Sequence, residues 1–492
     1  MRLMLSLFST SHYYWGHEGH EALKKIVFVV IAGIFAVYLL LAIGLTALEW
    51  VVRDNLKVEE SLQAHSTEPH TLTHFDQGAA SFHRRLELIE SAKTSIALEF
   101  FIYNVDEASR LFTQALIKKA REGVEVRILV DFSAPVFELK PAYAQVLGAA
   151  GVKVRYYNTS ALFRLVSIQH RSHRKLLIID GDTVLTGGRN IANDYFDLSD
   201  HYNFLDSDLE VSGPIVKTVL DSFDVYWNSH LSTEPVPDTE PNPEAAKFVL
   251  PIGTDVALIE KLRAAGESYR QSHKTHECRD IRFVTDFPNH GEASRKVFYA
   301  IVEELARAKQ EAVVESPYFV INSGGYVVLE DLHKRGVHVR VLTNSLASTD
   351  ASYAVAALYP WLGSLANTGL TLSAYRGQPL PAQSTDLGGG HPRWGVHSKR
   401  GVIDGDTTLL GTYNIDPRSA NLNSELMLVC RGQKELAAEV LASIAAREAA
   451  SDRVIERGRI VQRSALLGAA PLRQRLKFLL EMPIANLFDF LL

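Results

Sequence analysis

Two short stretches of this sequence carry residues able to do chemistry at a fixed spacing. They are His173-Arg174-Lys175-Leu176-Leu177-Ile178-Ile179-Asp180 and His397-Ser398-Lys399-Arg400-Gly401-Val402-Ile403-Asp404, both H-x-K-x-x-x-x-D. The apolar, partly β-branched residues inside each read as a buried strand, and residues two apart on a strand share a face. His173 therefore projects with Lys175, and His397 with Lys399. An imidazole beside a fixed ammonium is a nucleophile or proton carrier next to a positive charge, which suits a phosphate group. His173, Lys175, Asp180, His397, Lys399 and Asp404 form the candidate catalytic set.

One such pattern arises by chance, but two in the same context do not. Each is followed by a glycine-rich turn ending in Asn, Gly187-Gly188-Arg189-Asn190 and Gly411-Thr412-Tyr413-Asn414. Beyond each turn stands a carboxylate in an apolar setting, Asp208 and Glu425. At these residues the chain resembles the phospholipase D superfamily, whose members bring two such motifs to one active site. Asp194-Tyr195-Phe196, Tyr226-Trp227-Asn228-Ser229, Ser316-Pro317-Tyr318-Phe319-Val320, Val341-Leu342-Thr343-Asn344-Ser345-Leu346-Ala347 and Asn414-Ile415-Asp416-Pro417-Arg418-Ser419 look like its bacterial cardiolipin synthase branch. The likeness runs over about residues 70 to 430.

With two histidines across one phosphate, one attacks phosphorus to give a phosphohistidine and the other protonates the leaving alkoxide, then deprotonates the incoming hydroxyl. Lys175 and Lys399, helped by the amides of Asn190 and Asn414, would hold the charge on phosphorus, so the chemistry calls for no metal ion or cofactor. The resemblance implies that Asp208 and Glu425 fix the imidazole tautomers, that Asp180 and Asp404 brace the site, and that His173 is the nucleophile; plain turn acids before Gly181 and Gly405 are the alternative for Asp180 and Asp404. Arg189 and Arg418 are candidates for a second phosphate or for salt bridges. The implied substrates are phospholipids: transfer of a phosphatidyl group to phosphatidylglycerol gives cardiolipin, with phosphatidylglycerol or phosphatidylethanolamine as donor. Hydrolysis by water would make the protein a phospholipase D. Metal-independent nucleases also occur in the superfamily, and a nuclease calls for a basic groove with stacking aromatics. A non-enzymatic scaffold is disfavoured because every motif position is intact.

The 492 residues are too many for one ordinary core and imply two or three domains. With 51 basic against 57 acidic residues the net charge is −6, which gives no electrostatic footprint for nucleic acid. Only Cys278 and Cys430 are present, which excludes a disulfide framework or a four-cysteine zinc site; they read as free thiols, with one bridge between them the alternative. His273, His276 and Cys278 have a loose metal-like spacing without a fourth partner, and His12, His17 and His20 sit in a polar tail, so no metal is assigned.

Several elements must position these residues. Residues 1–25 are the tail, and 26–48 carry no charge and are long enough for a transmembrane helix, favoured over a cleaved signal peptide because the run is long, starts late and ends at Leu45-Thr46-Ala47-Leu48-Glu49-Trp50, a poor cleavage site. Lys24 and Lys25 before it favour a cytoplasmic N-terminus, with the catalytic body across a bacterial inner membrane. After a connector over 49–80, strands and helices alternate from 81 to 233, a Pro-rich linker spans 234–246, and a similar unit fills 247–450. Ser95–Tyr103 and Ala312–Val320 correspond, as do Arg121–Leu129 and Lys334–Leu342. The fold expected is therefore α/β: two similar phospholipase D-type sandwich domains from an internal duplication. Pro379–Pro392 is a candidate active-site loop, and residues 451–492 end in a basic, leucine-rich helix suited to a membrane surface or to packing on the body.

Overall fold

The computed structural model describes residues 25–41, 44, 63–133, 136–159, 169–236, 242–250, 255–288, 295–381, 387 and 390–485. The N-terminal tail with its three histidines, most of the connector's first half, and parts of the linker and of the Pro379–Pro392 loop lie outside these residues. Residues 25–41 are helical, with exposed apolar side chains such as Phe28, Ile34 and Leu40. They fall in a different compact unit from the strand-rich halves. Among the described residues no helix is long and apolar enough to cross a membrane; residues 42–43 and 45–48 of the expected span lie outside the description.

In the first half the principal elements are β1 (Ala64–Ser66), β2 (His70–Phe75), α1 (Gly78–Ser91), β3 (Ser95–Phe100), α2 (Glu107–Arg121), β4 (Glu125–Asp131) and β5 (Val152–Tyr157). There follow β6 (Leu176–Ile179), β7 (Thr183–Gly187), β8 (Tyr202–Leu205), β9 (Asp208–Ser212), α3 (Ile215–Trp227), β10 (Ser232–Thr233) and β11 (Thr275–Cys278). The second half holds β12 (Asp280–Thr285), α4 (Lys296–Arg307), β13 (Glu311–Glu315), α5 (Ser323–Lys334), β14 (His338–Asn344), α6 (Ser352–Leu358) and β15 (Thr371–Tyr375). It continues with β16 (Arg393–Val396), β17 (Arg400–Ile403), β18 (Thr407–Gly411), β19 (Leu426–Arg431), α7 (Lys434–Ala449), β20 (Ser451–Glu456), β21 (Arg459–Ile460) and α8 (Leu472–Ala485).

Among the described residues one sheet runs β10-β5-β4-β3-β6-β7-β9-β2-β11 and the other β1-β12-β19-β18-β17-β13-β14-β15-β20-β21. The run β5-β4-β3-β6-β7-β9-β2 has the same order and strand directions as β15-β14-β13-β17-β18-β19-β12: a parallel trio continued by antiparallel strands. The duplication seen in the sequence is thus a duplication of topology.

The sheets exchange edge strands. β1 joins the second sheet beside β12, and β11, expected in the second domain, pairs with β2 in the first. The chain crosses between sheets at Arg279, which places Cys278 on the first sheet 6.2 Å (Cα to Cα) from Cys430 on the second, and the two form a disulfide rather than free thiols.

Strands buried on both faces read as continuous apolar runs, as Leu176–Ile179 does, because helices or the other sheet cover each side. Leu72, Ile178, Val211, Phe283, Val402 and Leu428, with α3 and α7, form one apolar layer between the sheets. Helices are started by local chemistry: Asp106 caps α2 in a reciprocal box with Ser109, and Asn322 caps α5 by accepting from Gly325 N.

Candidate active site

Each histidine stands just before a strand of its own sheet and is held by the opposite half. His173 N donates to Ser424 O at 2.9 Å and Ser424 N to Arg171 O at 2.8 Å. In the mirror arrangement β16 runs parallel to β8, pairing Val396 with Leu205, and His397 N donates to Leu205 O at 2.8 Å.

The side chains repeat the exchange. Nδ1 of His173 lies 3.0 Å from Glu425 Oε2 and 3.1 Å from Thr412 O, while Nδ1 of His397 lies 2.6 Å from Asp206 Oδ2. A carboxylate on Nδ1 fixes the proton there and leaves Nε2 as the reactive nitrogen. Asp206, not Asp208, is thus the partner of His397. Sheet register explains the difference: Gly187 pairs with Asp208 and Gly411 with Met427, so Asp208 matches Met427 and the residues two positions earlier, Asp206 and Glu425, match each other. Asp208 is buried elsewhere, paired with Arg85 at 3.0 Å and Arg189 at 2.8 Å. The turn glycines differ for the same reason. A Cβ on Gly188 would collide with the Asp206 carboxylate, whereas Thr412 at the matching place donates its hydroxyl to Glu425 Oε2 at 2.6 Å.

Lys175 Nζ donates to His173 O at 2.6 Å, and Lys399 Nζ lies 2.8 and 3.0 Å from the two ring nitrogens of His397. Each histidine also feels the lysine of the other motif, and both lysines feel Asp206 and Glu425. Burial lowers His173 to about 4 and His397 to about 3, outweighing their carboxylates, so both imidazoles are neutral near pH 7. Burial likewise lowers Lys175 well below its usual range and Lys399 to about 8. Two neutral imidazoles beside two lysines whose charged forms are opposed by desolvation make a site that favours an anion.

A sequence profile described as "Cardiolipin synthase, PLD-like domain" matches residues 86–227 and 301–447, the two halves that supply this arrangement. The chain belongs to this phospholipase D-like family. It is 29% identical over 384 residues to cardiolipin synthase C of Escherichia coli, covering 72% of this chain and 80% of that one. It is 26% identical over 359 residues to cardiolipin synthase A of Pseudomonas putida, covering 72% and 63%. Phosphatidylserine synthase of Haemophilus influenzae shares the fold, with a TM-score of 0.61 at 16% identity over 91% of this chain and 100% of that one.

Most other positions singled out in the sequence serve the fold around this phospholipase D-like site. Asp180 and Asp404 stand at the far ends of β6 and β17, about five residues or roughly 16 Å along the chain from the lysines. Both adopt positive φ, 52° and 51°, as the first residues of tight turns before Gly181 and Gly405. Asp180 accepts backbone N–H groups from Lys93, Thr94 and Ser95, and Asp404 from Lys309, Gln310 and Glu311. They staple hairpins to neighbouring loops and do not line the histidines. Asn190 is also committed, accepting from Ile102 N at 3.1 Å and donating to Tyr195 OH at 2.9 Å, while the Oδ1 of Asn414 is buried without a hydrogen bond. Arg189 is fully buried on Asp208 and on the carbonyls of Phe75, Tyr195 and Asp206, and Arg418 reaches Gln169. Neither the carbonyl-held Arg189 nor the disulfide-bonded Cys278 is open to a ligand. His276 pairs with Glu439 at 2.9 Å, and His273 stacks on Tyr269.

Two carboxylates under the site were not singled out in the sequence. Glu99 on β3 accepts from Ser172 Oγ at 2.6 Å and pairs with Arg174 at 3.2 Å. Glu315, its counterpart on β13, pairs with Arg400 at 2.6 Å and with Arg447. Their signal was a lone Glu near the end of an apolar strand at matching places in both repeats.

Proposed function

We propose that the protein makes cardiolipin by moving a phosphatidyl group onto the free glycerol hydroxyl of phosphatidylglycerol. The supporting observation is the exchange across the halves: each histidine is oriented by the other half's carboxylate, with both lysines beside the pair. His173 is the nucleophile, since its Nδ1 is tied to Glu425 and Thr412, while Lys399 sits over both ring nitrogens of His397.

Binding of the phosphodiester anion raises the proton affinity of His397 and favours the charged forms of Lys175 and Lys399. Nε2 of His173 then forms a bond to phosphorus as the P–O bond to the leaving alcohol breaks, and the His397 imidazolium gives its proton to that oxygen. In the second half-reaction the glycerol hydroxyl loses its proton to His397, attacks phosphorus and breaks the N–P bond. Lys175, Lys399 and Asn414 hold the non-bridging oxygens, and Asn190 braces the turn. Phosphatidylglycerol or phosphatidylethanolamine serves as donor.

The apolar segment 26–48 anchors the chain in a bacterial inner membrane, with Lys24 and Lys25 on the cytoplasmic side and the body across it. The Cys278–Cys430 bridge supports an oxidising compartment for the body.

Expression in a host lacking cardiolipin, with His173→Ala and His397→Ala beside the intact chain, tests this reading through extracted lipids. Cardiolipin should appear with the intact chain alone. Phosphatidic acid without cardiolipin would make the protein a hydrolase, and release of nucleotides from single-stranded DNA would make it a nuclease.

A further inference from the structure

Helix α8 has two apolar faces, and the fold uses only one. Phe478, Met482 and Ala485 pack into the core of the second half, where the Phe478 ring meets Tyr359 edge-on at 5.6 Å. Leu472, Leu476, Leu479, Leu480 and Ile484 keep 73%, 53%, 56%, 76% and 52% of their surface exposed. At helical spacing these five fall within an arc of about 140°, opposite the packed residues. Contiguous exposed leucines on a packed helix mark a surface that meets something apolar.

The charges around this face select what it meets. Arg473 and Lys477 are exposed within and beside the leucine arc, while Arg475, on its other border, donates to the carbonyls of Gly468 and Ala470. The acid of the helix, Glu481, sits toward the packed side and pairs with Lys477 at 3.4 Å. A leucine face with a cationic border matches an anionic lipid surface, with acyl chains for the leucines and headgroups for the cations.

The position of α8 gives the surface a purpose. It packs on α6, which begins just after Asp350, and Asp350 accepts from Tyr318 OH at 3.0 Å. Tyr353 of α6 interacts electrostatically with Glu481 of α8 and with Asp350, Asp416 and Arg418, next to the catalytic turn at Asn414. Asp350 and Asp416 in turn act on Lys399.

We infer that α8 is an interfacial docking helix, which lays its leucine face into an anionic phospholipid surface and so holds the mouth of the active site against its substrate. The choice of lipid rests on the function proposed above.

The test uses the full-length chain in proteoliposomes. A fluorophore is attached at Leu480→Cys, the native cysteines being bridged, and acyl-brominated lipids serve as quenchers. Quenching of about twofold or more in vesicles containing phosphatidylglycerol, weaker in neutral vesicles, is expected. In Leu476→Glu/Leu480→Glu, whose side chains lie outside the core, turnover of bilayer phosphatidylglycerol relative to a soluble short-chain analogue should fall about tenfold. An unquenched label, an unchanged ratio, or a label shielded only by a second copy or another protein would overturn docking. Quenching in an enzyme inactive on both lipids would leave docking standing and remove the lipid-transfer reading.

Discussion

His397 Nδ1 lies 2.6 Å from Oδ2 of Asp206, a residue 191 positions away in the other half of the chain. His173 has the reverse relationship with Glu425. Neither half therefore orients its own histidine. A carboxylate on Nδ1 keeps the proton there, and an amide in its place does not enforce that tautomer. Asp206→Asn and Glu425→Gln should each lower kcat by about 10² or more with the fold intact. Steady-state lipid transfer checks this, and Asp206→Asn within a few-fold of the intact chain would remove the orienting role.

Asp208 should behave differently. Its carboxylate neutralises Arg85 and Arg189 inside the protein, and all three side chains are almost fully buried. Asp208→Ala strands two buried guanidinium groups and should cost about 3–5 kcal/mol of stability. Denaturant titration measures the loss, and activity per folded molecule should fall far less than in Asp206→Asn.

The pH dependence follows from burial. His173 takes a proton at about 4, and His397, neutral above about 3, must draw the acid's proton from solvent, so kcat/KM should be highest near pH 4 and fall as pH rises above it. Lys399 titrates at about 8, so the fall should steepen as pH rises past 8 and the ammonium is lost. Stability has its own window. The fold holds His173 and His397 neutral, whereas the unfolded chain takes up protons near the ordinary imidazole value of 6.5, so stability is present above 6.5 and is lost as pH falls toward 4 and below. Replacing both histidines by Asn should flatten the unfolding midpoint between pH 6.5 and 4, and an unchanged slope would contradict neutral buried imidazoles.

Much of this was legible in the sequence because short-range rules govern it. The period-two face of His173 and Lys175, the repeat of the histidine motifs and the apolar runs of the strands are local properties. The alternating strands and helices likewise announced a duplicated α/β fold. What failed depended on register or on contact between distant segments. Asp208 and Glu425 look equivalent in the sequence, and only the pairing of Gly187 with Asp208 against Gly411 with Met427 moves the partner to Asp206. The edge exchange that gives β11 to the first sheet, and with it the disulfide, is likewise set by packing of the two halves.

The same distinction applies to the motif acids. Asp180 and Asp404 are as regular in the sequence as the histidines, yet each occupies a left-handed turn position and accepts backbone donors. Asp180→Ala and Asp404→Ala should therefore lower the melting temperature by several degrees, through about 1–3 kcal/mol of lost hydrogen bonding. The kcat per folded molecule should stay within a few-fold. Loss of turnover without loss of stability would return them to the chemistry.

The disulfide carries a prediction about both stability and address. Cys278 and Cys430 are 152 residues apart, and their bond joins one sheet to the other. Closing a loop of that length constrains the unfolded chain strongly, so Cys278→Ser/Cys430→Ser should lose about 2–5 kcal/mol. Such a bond persists only where thiols are oxidised, which ties it to the side of the membrane on which the body folds. Alkylation of protein denatured directly from cells should modify neither cysteine until a reductant is added. Two reactive thiols without reductant would mean that the bridge does not form where the protein works. They would also reverse the orientation proposed from Lys24 and Lys25, placing the histidines on the cytoplasmic face.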